Sequence, residues 1–190
     1  MTSTLPFATA LGAAGWLTAA IVVVGARVPA FSHTRMAISE LGTRGSRFER
    51  LVSYAVFLPV GALAIGAALL LLRQGPYDPA RIGTAALAAC LGIAYIGAAI
   101  APCKPHGAPL DAREVVHWTA AAVEYVGGPY ALALAALGAV SGWLVVAATV
   151  ALLAALACTV GTFVRWRGAL QRVADGVLWG ALVVLAYQLG

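Results

Sequence analysis

Long apolar stretches separated by short polar ones make up almost all of this 190-residue chain. Charge-free runs cover residues 7–26, 51–72 and 82–103, and each matches the roughly 20 residues that a helix needs to cross the hydrocarbon core of a bilayer. A fourth charge-free run, residues 125–164, is too long for one crossing and must contain a turn. The pattern therefore predicts helices that span a membrane.

Two groups of helix-breaking residues compete for that turn. A turn at Gly127-Gly128-Pro129 leaves the preceding helix too short to cross, whereas a turn at 138–142 gives two spans of adequate length. We therefore predict a turn at 138–142 and a kink at Gly127-Gly128-Pro129 inside the fourth helix. The predicted fold class is all-α, a polytopic integral membrane protein with six transmembrane helices and short loops. The spans are expected at about residues 7–28, 48–72, 79–102, 112–137, 142–164 and 168–190.

Composition supports this interpretation. Charged residues make up 10% of the chain and hydrophobic ones 62%, whereas about a quarter of the residues in a soluble domain are charged. The mean hydropathy is +0.92. A single transmembrane domain, residues 1–190, is sufficient for a chain of this length. Three cysteines without CxxC spacing do not indicate a disulfide framework.

The distribution of positive charge predicts the orientation. Ten of the 12 Lys and Arg residues lie in or beside loops one, three and five, and the other two lie on the opposite side. The positive-inside rule then places these odd-numbered loops in the cytoplasm and both termini outside the cell membrane. We interpret the net charge of +5 as attraction to anionic membrane lipids and not as a nucleic-acid footprint. Whether the chain forms a homo-oligomer or binds a partner in a membrane complex is left open.

Most of the seven acidic residues have an ordinary role at a helix start. Asp78 precedes a proline, and Asp111 precedes Glu114 by three residues, both of which are N-cap patterns. Ser46 and Glu49 form the same pattern before helix two. Three acidic residues are left without such a role, namely Glu40, Glu124 and Asp175. Asp175 is expected to pair with Arg172 or Arg165.

Glu124 is the most unusual of these residues. It lies about 20 Å along predicted helix four, close to the middle of the membrane. A carboxylate at that depth costs roughly 2.5 to 3.5 kcal/mol, so it is expected to face the bundle interior beside a partner. At 100° per residue, one stripe of the helix carries Arg113, His117, Glu124 and Gly128. With Tyr125 as an adjoining hydrogen-bond donor, this stripe is a candidate ligand-binding site.

Loop one gathers many of the ionisable residues. Residues 36–41 have the pattern of a short amphipathic segment, expected to lie across the cytoplasmic mouth of the bundle. Glu40 is a candidate ligand-binding residue there, and Ser39 is a candidate nucleophile or acid-base partner for a histidine. Cys103, at the expected aqueous boundary, is a second available nucleophile, although no hydrolase signature surrounds either residue.

All three histidines fall on the predicted cytoplasmic side. His33, His106 and His117, together with Glu124, are the candidates for a zinc or other divalent-metal site that polarises water. No HxxxH or HExxH spacing supports such a site, so the main prediction is that no cofactor is bound. Haem is disfavoured because only His117 is placed at a suitable depth inside the bundle.

Three short motifs resemble one known family. The stretches "AISELG" at 37–42, "APCKPHGAP" at 101–109 and "REVVHW" at 113–118 are similar to those of the bacterial and archaeal membrane family catalogued as domain of unknown function 998. The resemblance implies a six-helix membrane protein in which positions 39–42 and His117 match recurrent positions. It also implies an acidic residue after helix three, where this chain has Cys103 and Lys104. A looser similarity links the chain to the alkaline ceramidase and progestin-receptor-like membrane hydrolases, whose paired histidines in a late helix are missing here.

Two functional hypotheses follow from these residues. The first is a bundle with a cytoplasm-facing polar cavity that binds or moves a lipid or another amphipathic small molecule. The second is a metal-dependent hydrolase or transferase acting on lipid at the inner leaflet, with catalytic candidates His117, Glu124, Glu40 and Ser39. We favour the first, non-enzymatic hypothesis. A structural subunit of a membrane complex is a third alternative.

Overall fold

The computed structural model describes residues 4–105, 109–139 and 141–190. Over these residues every regular element is helical. The long elements are α1 (Leu5–Gly25), α2 (Leu51–Arg73), α3 (Pro79–Ile100), α4 (Ala112–Ala139), α5 (Gly142–Ala157) and α6 (Gly161–Leu189). A short 3-10 turn, Ile38–Gly42, lies between α1 and α2.

Five of these helices are long and apolar enough to cross a membrane, and α5 is the shorter exception. The predicted fifth span reached residue 164, but α5 ends at Ala157 after 16 residues, or about 24 Å. A 3-10 segment, Gly161–Trp166, then leads into the α-helical part of α6. The predicted turn near residues 138–142 is confirmed, because α4 ends at Ala139 and α5 begins at Gly142.

The six helices pack in a ring in which each contacts its neighbour in sequence and α6 returns to α1. Helix α3 also contacts α6 across the ring and is more buried than the other spans. Many large apolar side chains on the outer faces remain exposed. Because water-soluble proteins rarely expose large contiguous apolar surfaces, these faces indicate a membrane location.

Glycines let α3 approach its neighbours closely. A Cβ atom on Gly83 would lie 2.7 Å from the carbonyl oxygen of Ala131 in α4. A Cβ on Gly61 of α2 would lie 2.8 Å from the carbonyl oxygen of Gly92 in α3. Association of helices in lipid depends on such small-residue contacts, because there is no hydrophobic driving force between helices surrounded by acyl chains.

Two helices contain a π-helical turn just before a proline. In α2 the widened turn covers Leu51–Phe57 and precedes Pro59. A proline has no N–H for the carbonyl four residues earlier, and here the Trp16 indole donates to that carbonyl, Ala55 O, at 2.9 Å. In α4 the widened turn covers Val123–Gly127 and precedes Pro129, which is where the sequence predicted a kink.

The loops that carry most of the positive charge meet at one end of the ring, which we call the basic end: residues 27–50, 101–105, 109–111 and 158–166. Arg44 N–H donates to Cys103 O at 2.9 Å, and the Arg44 side chain pairs with Asp111 at the same distance. Arg167 pairs with Glu40 at 2.7 Å. These contacts hold loop one against the other two loops.

The predicted caps are found at two of three helix starts. The carboxylates of Asp78 and Asp111 accept backbone N–H groups at 2.9 Å. The predicted capping box of Ser46 and Glu49 was wrong. Glu49 accepts the Gly45 N–H, and the Ser46 side chain caps no helix. Lys104 also pairs with Asp111, at 2.8 Å.

We expect Gly83→Ala to lower the stability of the bundle by about 1 to 3 kcal/mol, because the added methyl group meets backbone atoms of α4 that cannot move independently. Gly66→Ala is the matched control, since nothing lies within 4 Å of its added Cβ. Thermal unfolding of the two variants in detergent tests the prediction. Equal melting temperatures for them would contradict the close packing of α3 against α4.

Asp111 should make stability depend on pH. Its bonds with Lys104, the Glu114 N–H and Arg44 hold the pKa of the Asp111 carboxyl well below its ordinary value. A carboxyl whose pKa is lower in the folded state contributes stability above its unfolded pKa, about 4, and loses that contribution as pH falls. We expect melting temperature to fall less steeply below pH 4 in Asp111→Asn than in the wild type. Identical pH profiles would contradict this assignment.

Candidate functional site

A cavity of about 40 Å³ lies inside the ring toward the basic end. It has room for a few water molecules. Its polar lining comes from loop one, α3, α4 and α6 and consists of Ser39, Tyr95, His117, Glu124, Tyr125 and Gln171. The apolar lining includes Ile38, Phe57 and Ala98. The cavity thus brings together residues that are far apart in the chain.

A chain of hydrogen bonds crosses one side of the cavity. The Tyr125 hydroxyl donates to Asp175 Oδ1 at 2.8 Å, and Gln171 Nε2 donates to the same hydroxyl at 2.8 Å. The amide oxygen of Gln171 accepts the backbone N–H of Ile38 at 2.7 Å. Loop one is therefore tied to α4 and α6 through buried side chains, and Gln171 fixes the position of the 3-10 turn over the cavity.

Two acidic side chains, Glu124 of α4 and Asp175 of α6, are buried in the interior, with 5% and 4% of their surfaces exposed; we call them the carboxyl pair. Tyr125, which follows Glu124 in sequence, donates to Asp175 Oδ1 and so links the two helices at this depth. Glu124 Oε1 and Asp175 Oδ2 have no hydrogen-bond donor among the described residues. A buried carboxyl oxygen without a donor is costly, so this part of the interior has unused capacity to accept hydrogen bonds.

His117 occupies the wall of the cavity about two helical turns before Glu124. Its side chain is buried, and Nδ1 lies 2.9 Å from the carbonyl oxygen of Ala101. If Nδ1 donates to that carbonyl, Nε2 is the acceptor in the neutral ring. The carbonyl of Ala101 is available because α3 ends at Ile100. The end of α3 thus orients a histidine that lines the cavity.

Aromatic rings close the apolar side of the cavity. Tyr95 packs edge-on against Phe57 and Trp179, with ring centroids 5.5 and 5.8 Å apart. Tyr95 is 5% exposed and Trp179 is 4% exposed. These contacts connect α2, α3 and α6 and keep lipid chains away from the carboxyl pair.

The structure divides the predicted stripe of helix four. His117, Glu124 and Tyr125 line the cavity, but Arg113 does not. Arg113 is exposed and lines a separate groove with Arg50. Arg113 therefore lies outside the cavity that the other residues of the stripe line. The buried face of α4 at this end carries Glu114 and His117, and Arg113 lies on the exposed side.

Glu40 also differs from its predicted position. Its carboxylate pairs with Arg167 and accepts the backbone N–H of Ala37, and it is not part of the cavity lining. Ser39, the preceding residue, lines the cavity instead. A 3-10 turn places neighbouring residues on different sides, so loop one contributes Ser39 to the interior and Glu40 to the outer contacts.

Asp175 does not form the expected ion pair. Arg172 Nη1 donates to the carbonyl oxygens of His33 and Met36, at 2.8 and 2.9 Å, and so binds loop one. Asp175 bonds Tyr125 instead. Sequence reasoning missed Gln171 and Tyr95 as site residues. The available signal for Gln171 was its position one helical turn before Asp175 on α6.

The metal-site candidates do not come together over the described residues. His33 is exposed and packs against Phe31, with ring centroids 5.1 Å apart, whereas His117 and Glu124 lie in the cavity. His106 falls outside the described residues. In the part of the chain that is described, no three His, Cys, Asp or Glu side chains are grouped to hold a metal.

Cys103 is buried beneath loop one and not at an aqueous boundary as predicted. Its thiol donates to the Ser39 carbonyl at 3.2 Å, and only 7% of the residue is exposed. Burial raises the pKa of the Cys103 thiol. A thiol that resists deprotonation is a poor nucleophile, so Cys103 supports the loop and offers no reactive group.

We expect Tyr125→Phe to lower the stability by about 1 to 3 kcal/mol, because Asp175 and Gln171 each lose a buried hydrogen-bond partner. Tyr130→Phe, at an exposed position on the same helix, is the matched control and should change stability little. Thermal unfolding in detergent compares them. The hydrogen-bond chain has no structural role if both variants melt at the wild-type temperature.

Comparison with known proteins identifies the chain at the level of its family. No curated protein and no solved structure matches it. The looser similarity to the ceramidase-like hydrolases gains no support. The model of the family described as "Protein of unknown function (DUF998)" matches residues 11–188. This match covers nearly all of the six helices and every residue that lines the cavity, and it confirms the resemblance: the chain belongs to the DUF998 family.

Proposed function

We propose that this protein binds the polar end of an amphipathic small molecule or lipid in the cavity between loop one, α3, α4 and α6. The observation that carries the proposal is the buried Glu124 Oε1, which has no hydrogen-bond donor among the described residues. An unsatisfied buried acceptor of this kind costs about 1 to 3 kcal/mol. A ligand that donates a hydrogen bond to it recovers that energy.

The chemistry of the lining indicates which polar groups fit. Glu124 accepts hydrogen bonds or balances a positive charge, with Asp175 buried behind Tyr125, and His117 offers one further ring nitrogen. A hydroxyl or an amine therefore suits the site, whereas a carboxylate or phosphate would be repelled by the carboxyl pair. The cavity volume of about 40 Å³ admits only such a small group, with the apolar remainder of the ligand outside.

Loop one is the element that would have to move for a ligand to enter. The turn Ile38–Gly42 covers the cavity and is held by the Gln171 bond to Ile38 and the Arg167 pair with Glu40. Arg172 holds loop one as well, through the carbonyl oxygens of His33 and Met36. All of these contacts are non-covalent, and they have to break for the loop to open.

The membrane arrangement is part of the same proposal. We infer that all six helices cross the cell membrane, with α5 completed by the apolar residues that follow it. The basic end then faces the cytoplasm, in agreement with the positive-inside rule. In this orientation the cavity opens toward the inner leaflet, and amphipathic molecules of that leaflet reach it through loop one.

We expect Glu124→Gln to weaken binding of a hydroxyl or amine ligand by about tenfold or more, because one of the two carboxyl oxygens is replaced by an amide NH2 group that cannot accept a hydrogen bond. The measurement is cross-linking of a photoactivatable long-chain alcohol or amine to the protein in phosphatidylcholine nanodiscs, as a function of probe concentration. Glu114→Gln is the matched control. Glu114 lies on the same helix outside the cavity and accepts the Lys104 N–H, so this variant should label like the wild type.

Equal labelling of the wild type and Glu124→Gln would refute the proposed site, as would a long-chain fatty acid labelling as strongly as the alcohol. The metal content of the same preparations distinguishes the proposed binding function from the hydrolase hypothesis. Stoichiometric zinc or another divalent metal in the wild type, lost in His117→Ala, would replace the binding function with metal-dependent chemistry.

A further inference from the structure

A second, larger opening lies on the outer side of the bundle at the basic end. This groove has a volume of about 160 Å³ and is formed where α2 and α4 begin and α3 ends. Its lining consists of Glu49, Arg50, Ser53, Tyr54, Ala99, Ile100, Pro102 and Arg113. None of these residues lines the cavity described above. The groove is therefore a separate feature with its own chemistry.

The two arginines of the groove are unpaired within the described residues. Arg50 and Arg113 are exposed, and neither side chain forms a hydrogen bond or an ion pair with a described residue. Other arginines of the basic end do have such partners, as Arg44 does with Asp111. The groove also contains the carboxylate of Glu49, which accepts the Gly45 N–H at 2.6 Å. Two arginines and one carboxylate leave the groove with a net charge of +1.

A buried hydroxyl lies at the base of the groove. Ser53 is only 3% exposed, and among the described residues its hydroxyl has no hydrogen-bond partner. In a regular helix that hydroxyl often bonds the carbonyl four residues earlier, but Ser53 lies in the π-helical turn Leu51–Phe57. A hydroxyl without a partner that lines the same groove as two free guanidinium groups can donate to a phosphate oxygen that the arginines bind.

The sides of the groove are suited to lipid. Tyr54 and Ile100 are 64% and 67% exposed and lie on the outer surface of α2 and α3. Tyrosine is enriched where membrane meets water, because its ring prefers the acyl boundary and its hydroxyl the headgroups. Arg50 precedes the first residue of α2, and Arg113 is the second residue of α4, which places both cations at the headgroup level.

We propose that this groove binds the phosphate of an anionic phospholipid in the leaflet next to the basic end. Arg50 and Arg113 bind the phosphate oxygens from two sides, and the Ser53 hydroxyl donates from below. Tyr54 and Ile100 contact the glycerol and the upper acyl chain. A lipid in this position would connect the starts of α2 and α4 to the end of α3. The inference does not depend on the function proposed for the enclosed cavity.

The test is the affinity of purified protein in uncharged detergent for a fluorescent phosphatidylglycerol, measured by anisotropy near physiological salt. We expect the double variant Arg50→Gln/Arg113→Gln to bind about tenfold more weakly or worse, and Ser53→Ala to bind severalfold more weakly. The matched control is Arg35→Gln/Arg47→Gln, which removes the same charge from exposed positions of loop one outside the groove. This control should bind like the wild type.

Several outcomes would overturn the proposal. The groove is not the site if the double variant retains wild-type affinity, and the attraction is unspecific if the loop-one control loses as much affinity. Displacement by phosphatidylcholine as efficient as by phosphatidylglycerol would exclude selection for an anionic lipid. Displacement by millimolar inorganic phosphate would assign the groove to free phosphate. Should the double variant fail to fold, Arg113→Gln alone, at an exposed and unpaired position, gives the same comparison.

Discussion

The burial of two carboxyl groups, those of Glu124 and Asp175, is the constraint on which the rest of the interior depends. In a bilayer no water reaches such groups from outside the protein, so the bundle has to supply their partners. Tyr125 is one such partner, because it donates to Asp175. Gln171 bonds both Tyr125 and the Ile38 N–H, and it therefore also positions loop one. The hydrogen bonds that provide a partner for a buried carboxyl group therefore also hold loop one over the cavity.

The widened turn of α4 explains how one helix presents both residues to the interior. Glu124 and Tyr125 are adjacent in sequence and lie within the π-helical turn that precedes Pro129. Proline leaves the helix one hydrogen bond short, and π-helical turns are frequent at functional sites. In α2 the turn before Pro59 likewise contains Ser53, which lines the outer groove. The two polar openings of the bundle are thus both built on irregular helix segments.

Helix α3 and the loop that follows it separate these two openings. Ala98 faces the cavity and Ala99 and Ile100 face the groove, while the Ala101 carbonyl orients His117. Glu124 is the acidic residue of the cavity lining, whereas Arg50, Arg113 and Glu49 line the groove. The ligands that we propose for the two sites therefore differ in charge, although the sites lie a few residues apart on the same segment.

Apolar run length and helix breakers were sufficient to predict the helical class, the turn near Gly142, the irregular segment of α4 and the caps at Asp78 and Asp111, because these depend on neighbouring residues. Helical periodicity also predicted that His117 and Glu124 share a face. The partners of these residues were not predictable, because Gln171 and Ser39 reach the cavity from another helix and a loop, and Asp175 reaches Tyr125 from α6. Arg113 and Glu40 show most clearly what sequence spacing does not predict. Arg113 lies in the outer groove and Glu40 pairs with Arg167, because the packing of α4 and the turn of loop one set the directions of these side chains. Sequence alone determined which residues need a partner in lipid, and only the packing of the ring decided which partner each one has.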